Sequence, residues 1–128
     1  MIDIENSVFN YVTEPLRTEF PGISVYGEYV EVPSSFPSVS LVEDDNSEIG
    51  TNRTLGRLPE MAANLMYTAN VYSNLATGKK TQAKAIMDAI DTRMHELGFE
   101  RTMRSQLPNV DRTIYRVTAR YTKIMQIY

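Results

Sequence analysis

Cysteine is absent from this chain. That removes disulfides, thiolate metal sites and cysteine nucleophiles together, and it fits folding in a reducing compartment. Histidine occurs once, as His95, so a metal site or a catalytic triad would need further ligands or a nucleophile that nothing beside it announces. No stretch approaches the roughly 18 apolar residues of a membrane span. The start, Met1-Ile2-Asp3-Ile4-Glu5, is acidic where a signal peptide has a basic start and an apolar core. The chain is therefore expected to be made and used in soluble form, with no membrane partner. The glycosylation-like triplet Asn52-Arg53-Thr54 has no secretory context and reads as chance.

Bases are also scarce over residues 1–50, which hold ten acids against Arg17 alone, a net charge of −9. The remaining 78 residues hold twelve bases against six acids, a net of +6. Halves of opposite sign can attract within one fold. They also suit a subunit with one acidic and one basic flank, made for head-to-tail contact with a copy of itself. Both readings stay open at this level.

What is present is ordinary globular material. At 128 residues, 42% hydrophobic and 23% charged, the chain matches one domain able to bury about two thirds of its unfolded surface. Ile4, Val8, Tyr11 and Val12 recur at helical spacing behind Asp3, a good N-cap, predicting a first helix to about Thr13 that Pro15 bends or restarts. Phe20-Pro21-Gly22 breaks the chain before a first strand from Ile23 to Tyr29. A second strand covers about Phe36 to Glu43, and the two are expected to form a hairpin.

From Asp44 to Pro59 the segment DDNSEIGTNRTLGRLP holds two glycines and five charges with no clear period, a long loop of the kind that is functional or disordered. Asn64 to Tyr72 is rich in Tyr, Thr and Val and predicts a third strand. The clearest element is a second helix with Ala83, Ile86, Met87, Ile90, Met94 and Leu97 on one stripe. It closes at Gly98, with Phe99 placed to fold back on the last turn. Two final strands follow, about Glu100 to Gln106 and Thr113 to Met125, turned by Pro108-Asn109-Val110-Asp111. The fold class is α+β, a single domain over residues 1–128 in the order α-β-β-β-α-β-β. An antiparallel or mixed sheet is covered on one face by both helices.

Motifs that would carry chemistry each fail at a named position. Gly78-Lys79-Lys80-Thr81 opens a helix, but a phosphate loop needs glycine where Lys79 and Asn74 stand. Asp44, Asn46 and Glu48 have the first spacings of a calcium loop, yet Ile49 and Leu55 occupy its glycine and bidentate-glutamate positions. Asp91 lies four residues before His95 and could orient its ring, which makes a surface pair and not a triad. No enzyme, cofactor or metal site is expected.

The last strand carries Arg112, Arg116 and Arg120, four apart and so on one side, with Tyr115, Val117, Ala119 and Tyr121 opposite, facing the helices. Arg101 and Arg104 lie on the neighbouring strand. Such a basic strip can contact nucleic-acid phosphates, form a solvated sheet face, or pair with the acidic half of another subunit. The sequence pI of about 5.1 counts against a dedicated DNA binder.

Several features together resemble a known family. They are the element order, the strand ending Val71-Tyr72-Ser73-Asn74, the helix start at Gly78-Lys79, the helix close Glu96-Leu97-Gly98-Phe99-Glu100-Arg101 and the final Arg116 to Tyr121 strand. They resemble the tail terminator proteins, the tail-completion or tail-to-head joining proteins of long-tailed bacteriophages, over nearly the whole chain. The resemblance implies a virion protein assembled in the host cytoplasm that forms a hexameric ring on the head-proximal end of the tail tube. It would stop tube polymerisation and then dock the head connector, with DNA as a passenger through the lumen. The loop between the second and third strands commonly takes part in subunit or tube contacts in such proteins. It maps onto the region of Asp44, Asp45, Glu48, Arg53 and Arg57. A neck or head-tail connector component and a small nucleic-acid-binding module using Arg112, Arg116 and Arg120 are the alternatives. The apolar segment Ile124-Met125-Gln126-Ile127-Tyr128 either extends the last strand or packs on a partner.

Overall fold

Val8, Val12 and Leu16 fall four residues apart, and a helix that buries all three has to run on through Pro15. A computed structural model of the chain describes residues 4–28, 33, 35–48, 62–107 and 113–126. In it the first helix, α1, spans Glu5–Glu19 without interruption. Proline in a helix interior removes one backbone hydrogen bond and costs about 3 kcal/mol. Burial of Leu16, 1% exposed, returns roughly 1.5–3 kcal/mol of that. Leu16 burial thus offsets most of the cost of the breaker, and the expected end near Thr13 gives way to six more residues of helix. The expected cap Asp3 lies outside the described residues.

Among the described residues five strands make the sheet: β1 (Ser24–Tyr26), β2 (Ser38–Glu48), β3 (Ala62–Ser73), β4 (Glu100–Leu107) and β5 (Tyr115–Gln126), in the spatial order β1-β2-β3-β5-β4. The second helix, α2 (Lys79–Glu96), falls between β3 and β4 in sequence. The domain is thus α+β in the expected order α-β-β-β-α-β-β, with the helices on one face of a mixed sheet.

The sheet is mixed because β1 and β2 pair in parallel, Ser24 beside Ser38 and Tyr26 beside Ser40. This corrects the expected hairpin. A hairpin turn takes two to five residues, whereas eleven separate Tyr26 from Ser38, and a parallel pair needs a longer crossover. On the helix-free face Ser40 Oγ donates to Glu28 O and Ser38 Oγ to Ser35 O.

A second correction concerns the loop expected from Asp44. The strand continues to Glu48, antiparallel to β3, with Glu48 beside Ala63. A bulge between Glu43 and Asp45 absorbs one residue. Residues 49–61, including the rest of that loop, lie outside the described residues.

Alternation along β3 and β5 divides the sheet into two faces. Ala63, Leu65, Tyr67, Ala69 and Val71 of β3, with Val117, Ala119 and Tyr121 of β5, are buried beneath Ala83, Ile86, Met87, Ile90 and Met94 of α2. Val8, Val12 and Leu16 of α1 complete this core with Val39 and Leu41 of β2. The C-terminus of α2 follows its expected closure. Gly98 takes φ +89°, its N–H donates to His95 O at 2.9 Å, and Phe99 N–H donates to Met94 O at 3.0 Å. The Phe99 ring then meets Tyr67 edge to face at 5.2 Å. Lys123 Nζ donates to Leu97 O at 2.6 Å and lies 5.7 Å from the Phe99 ring, adding a cation where the helix dipole is negative.

Candidate functional site

The chemistry-bearing residues gather in three places: the helix-free face, the groove between α2 and β4, and the outer edges of the sheet. Their placement follows from strand register, which decides the face each side chain joins.

On the helix-free face β5 contributes Arg116, Thr118 and Arg120. Arg116 is not a free cation, since its Nη2 and Nε donate to Asn70 Oδ1 at 3.1 and 3.3 Å and its guanidinium lies 5.5 Å from the Tyr72 ring centre. Arg120 is exposed. Asp44, thrown outward by the β2 bulge, accepts a hydrogen bond from Thr68 Oγ1. These groups line a shallow concavity of about 390 Å³ with one acid among its cations. Arg112 lies outside the described residues.

Arg101 and Arg104 do not extend this strip. A bulge between Arg101 and Met103 shifts the register of β4, so that Arg101 sits beside Tyr121 and Arg104 beside Ala119, both on the helix-covered side. There Arg104 Nη1 donates to Asp88 Oδ1 at 2.6 Å and Arg101 Nη1 to Asp91 Oδ1 at 3.3 Å. The single basic strip expected across the two strands is therefore split between opposite faces by one extra residue.

Asp91 is the hub of that side. It also accepts from Tyr121 Oη at 3.0 Å, and His95 Nδ1 lies 2.7 Å from its carbonyl oxygen and 3.3 Å from its Oδ2. The expected His95–Asp91 pair thus forms. Burial, and then the Asp91 charge, push the Tyr121 phenol upward from its ordinary value, so it stays a protonated donor at neutral pH. Among the described residues no group of three or more His, Asp or Glu is placed to hold a metal ion. Register also separates the calcium-like residues: Asp44 reaches Thr68 on the helix-free face, while Asn46 pairs with Leu65 on the covered side.

Between the first turns of α2 and β4 runs a groove of about 460 Å³, lined by Lys80, Lys84, Arg101 and Arg104 together with Ser105 and Gln106. Lys80 and Lys84 are exposed. In the sequence Lys80 and Lys84 are solvated lysines at a helix start and on its polar side, because their spacing is that of any exposed helix face. Only the approach of β4 makes them part of a basic groove.

The edges complete the inventory. Among the described residues β4 is the last strand on one side of the sheet. On the other side β1 covers only Ser38 to Ser40 of β2. Among the described residues no strand pairs with the outer edge of β2 from Leu41 to Glu48. That stretch contains Glu43, Asp44, Asp45 and Glu48 and no base, so Asp44, Asp45 and Glu48 belong to an acidic sheet edge. Arg53 and Arg57 lie outside the described residues. No helix is long and apolar enough to cross a membrane. No protein-family model matches the chain, and no curated protein matches it.

Proposed function

We propose that the chain is a structural virion protein, a tail terminator that forms a ring on the head-proximal end of a phage tail tube. On this reading it ends tube polymerisation and offers the surface to which the head connector docks. Its partners are copies of itself in a hexameric ring, the tail tube protein beneath and the connector above, and DNA crosses the lumen only in transit. The resemblance in element order and in the Gly78-Lys79 and Glu96 to Arg101 motifs suggests the role. The observation that supports it best is the pair of opposed sheet edges, an acidic one at Leu41–Glu48 and one at β4 flanked by Lys80, Lys84, Arg101 and Arg104. A ring subunit needs two different flanks that fit each other, and opposite charge on opposite edges supplies them.

The nucleic-acid alternative has less support. Arg116 is occupied by Asn70 and Tyr72, Arg101 and Arg104 face the helices, and Asp44 shares the concavity with Arg120.

Negative-stain microscopy of the purified protein, alone at high concentration and mixed with tail tube protein, tests the reading. Rings, or rings capping tube ends and remaining on headless tails, are the expected result. A protein that stays monomeric even with tube protein present overturns it.

A further inference from the structure

Strand register sorts the helix-free face into rows that run across the sheet. Val42, Thr68, Arg120 and Met103 stand side by side in one row. Tyr72, Arg116 and Leu107 stand in another. Between the two rows Asn70 lies beside Thr118. Short side chains flanked by long ones leave a hollow, and this is the origin of the concavity of about 390 Å³.

Its floor is polar and closed off. Asn70 and Thr118 both line the concavity, and each is only 3% exposed. Asn70 Oδ1 accepts from Arg116 Nε and Nη2. A guanidinium can only donate, so the amide oxygen faces it, and the Asn70 NH2 group is left without a partner among the described residues. The Thr118 hydroxyl has none there either. Buried donors are normally satisfied, and an unmet one costs free energy. Two of them at the floor of an open concavity call for an acceptor that enters from outside.

Arg116 adds to this demand. Of its five N–H donors Asn70 takes two, so three remain, including those on the edge between Nη1 and Nη2. Asn70 and the Tyr72 ring, 5.5 Å away, hold the guanidinium in one plane with that edge open, the geometry that receives two oxygens of one oxyanion. Arg120 brings a second exposed cation and Asp44, bonded to Thr68, one acid. Two positive charges against one negative leave room for a single added negative charge.

We propose that this concavity binds a carboxylate monoanion carrying a small apolar group. The carboxylate sits on the open edge of Arg116, Arg120 and the Thr118 and Asn70 donors, and the apolar part rests against Val42, Met103 and Leu107. A phosphate monoester, with close to two charges, would overfill the site and meet Asp44. Apolar walls and a volume at the small end of ligand clefts suit a compact acid and not an extended polyanion. The site lies on the sheet face and does not depend on the ring reading.

The carboxylate comes either from a free small molecule or from an Asp or Glu side chain of a second copy, and one titration separates these sources. Sodium 3-methylbutanoate is added to dilute ¹⁵N-labelled protein, with 3-methylbutanamide and sodium phosphate as comparators. Saturable shifts centred on Thr68, Asn70, Arg116 and Thr118 are expected, half-complete at about 1–10 mM for a probe of about seven heavy atoms. The amide and phosphate should bind at least about tenfold more weakly, since each lacks the charge the site matches. Thr118→Val and Arg120→Gln should each weaken the probe at least about threefold. Thr118→Val should at the same time leave the thermal midpoint unchanged or raised, because it removes a buried hydroxyl with no partner. Lys84→Gln, on the other face, should change nothing. If the same amides move when the protein alone is concentrated, the carboxylate belongs to a second copy; if they stand still, it belongs to a free small acid. Amide binding equal to the acid, phosphate binding tighter than the acid, or shifts unsaturated at about 50 mM overturn the proposal and leave water as the partner of the two donors.

Discussion

Arg104 reaches from the edge strand β4 to Asp88 on α2 with 2.6 Å between Nη1 and Oδ1, on the opposite side of the sheet from Arg116 and Arg120. The single extra residue at the β4 bulge produces this relationship. On a regular strand residues 101 and 104 would fall on opposite faces. The bulge places both toward the helix, where they meet the two acids spaced one turn apart on its exposed side.

The pair itself contributes little to stability. Arg104 is 23% and Asp88 68% exposed, so a double-mutant cycle on Arg104→Ala and Asp88→Ala should give a coupling below about 1 kcal/mol that shrinks further in high salt. A coupling of several kcal/mol in urea titrations would show that the pair is held far more rigidly than its exposure implies.

Gly98 is a stronger point of failure. Its φ of +89° is costly for any residue with a Cβ, and a Cβ there would meet Lys123 Nζ at 3.3 Å. Gly98→Ala should destabilise the fold by about 1–2 kcal/mol, lowering the thermal midpoint by several degrees with the circular dichroism spectrum unchanged.

Pro15 predicts a change in the other direction. It stands inside α1, which continues to Glu19. Pro15→Ala restores a helical N–H donor and removes a steric conflict, so the denaturant midpoint should rise, with a gain on the order of 1 kcal/mol. A fall would show that the rigid ring's restriction of the unfolded chain outweighs the lost hydrogen bond.

Tyr121 gives a pH dependence. Its phenol is raised in the folded state, first by burial and then by Asp91, so the folded chain holds the proton more tightly than the unfolded chain. The contribution is fully present below the ordinary phenol value of about 10 and declines as pH rises above it. Urea unfolding between pH 8 and 11 should show stability falling at the alkaline end, with a shallower fall in Tyr121→Phe.

Charge reversal at Arg53 with Arg57 tests the assembly reading from the segment expected to meet neighbours. Ring or tube contacts should weaken in sedimentation while the thermal midpoint stays within a degree or two of the parent. A large loss of stability would assign these arginines to the fold and not to assembly.

The sequence by itself determined what depends on near neighbours. The stripe of α2 and its glycine closure are written in residues within one or two turns of each other, because helical hydrogen bonds and capping are local. Alternation in β5 correctly placed Tyr115, Val117, Ala119 and Tyr121 toward the helices, since a strand's period of two is also local. Tertiary structure alone decided what depends on partners distant in the chain. The acidic run after Glu43 has no apolar alternation and becomes strand only because β3 supplies its hydrogen bonds. β1 lies parallel to β2 because the crossover, and not the strand pattern, sets direction. The β4 bulge sends Arg101 and Arg104 away from Arg116 and Arg120, and the approach of β4 to α2 turns two ordinary lysines into one wall of a groove. Strand pairing joins residues tens of positions apart, so which face, edge and sign each charge presents is a property of the assembled sheet.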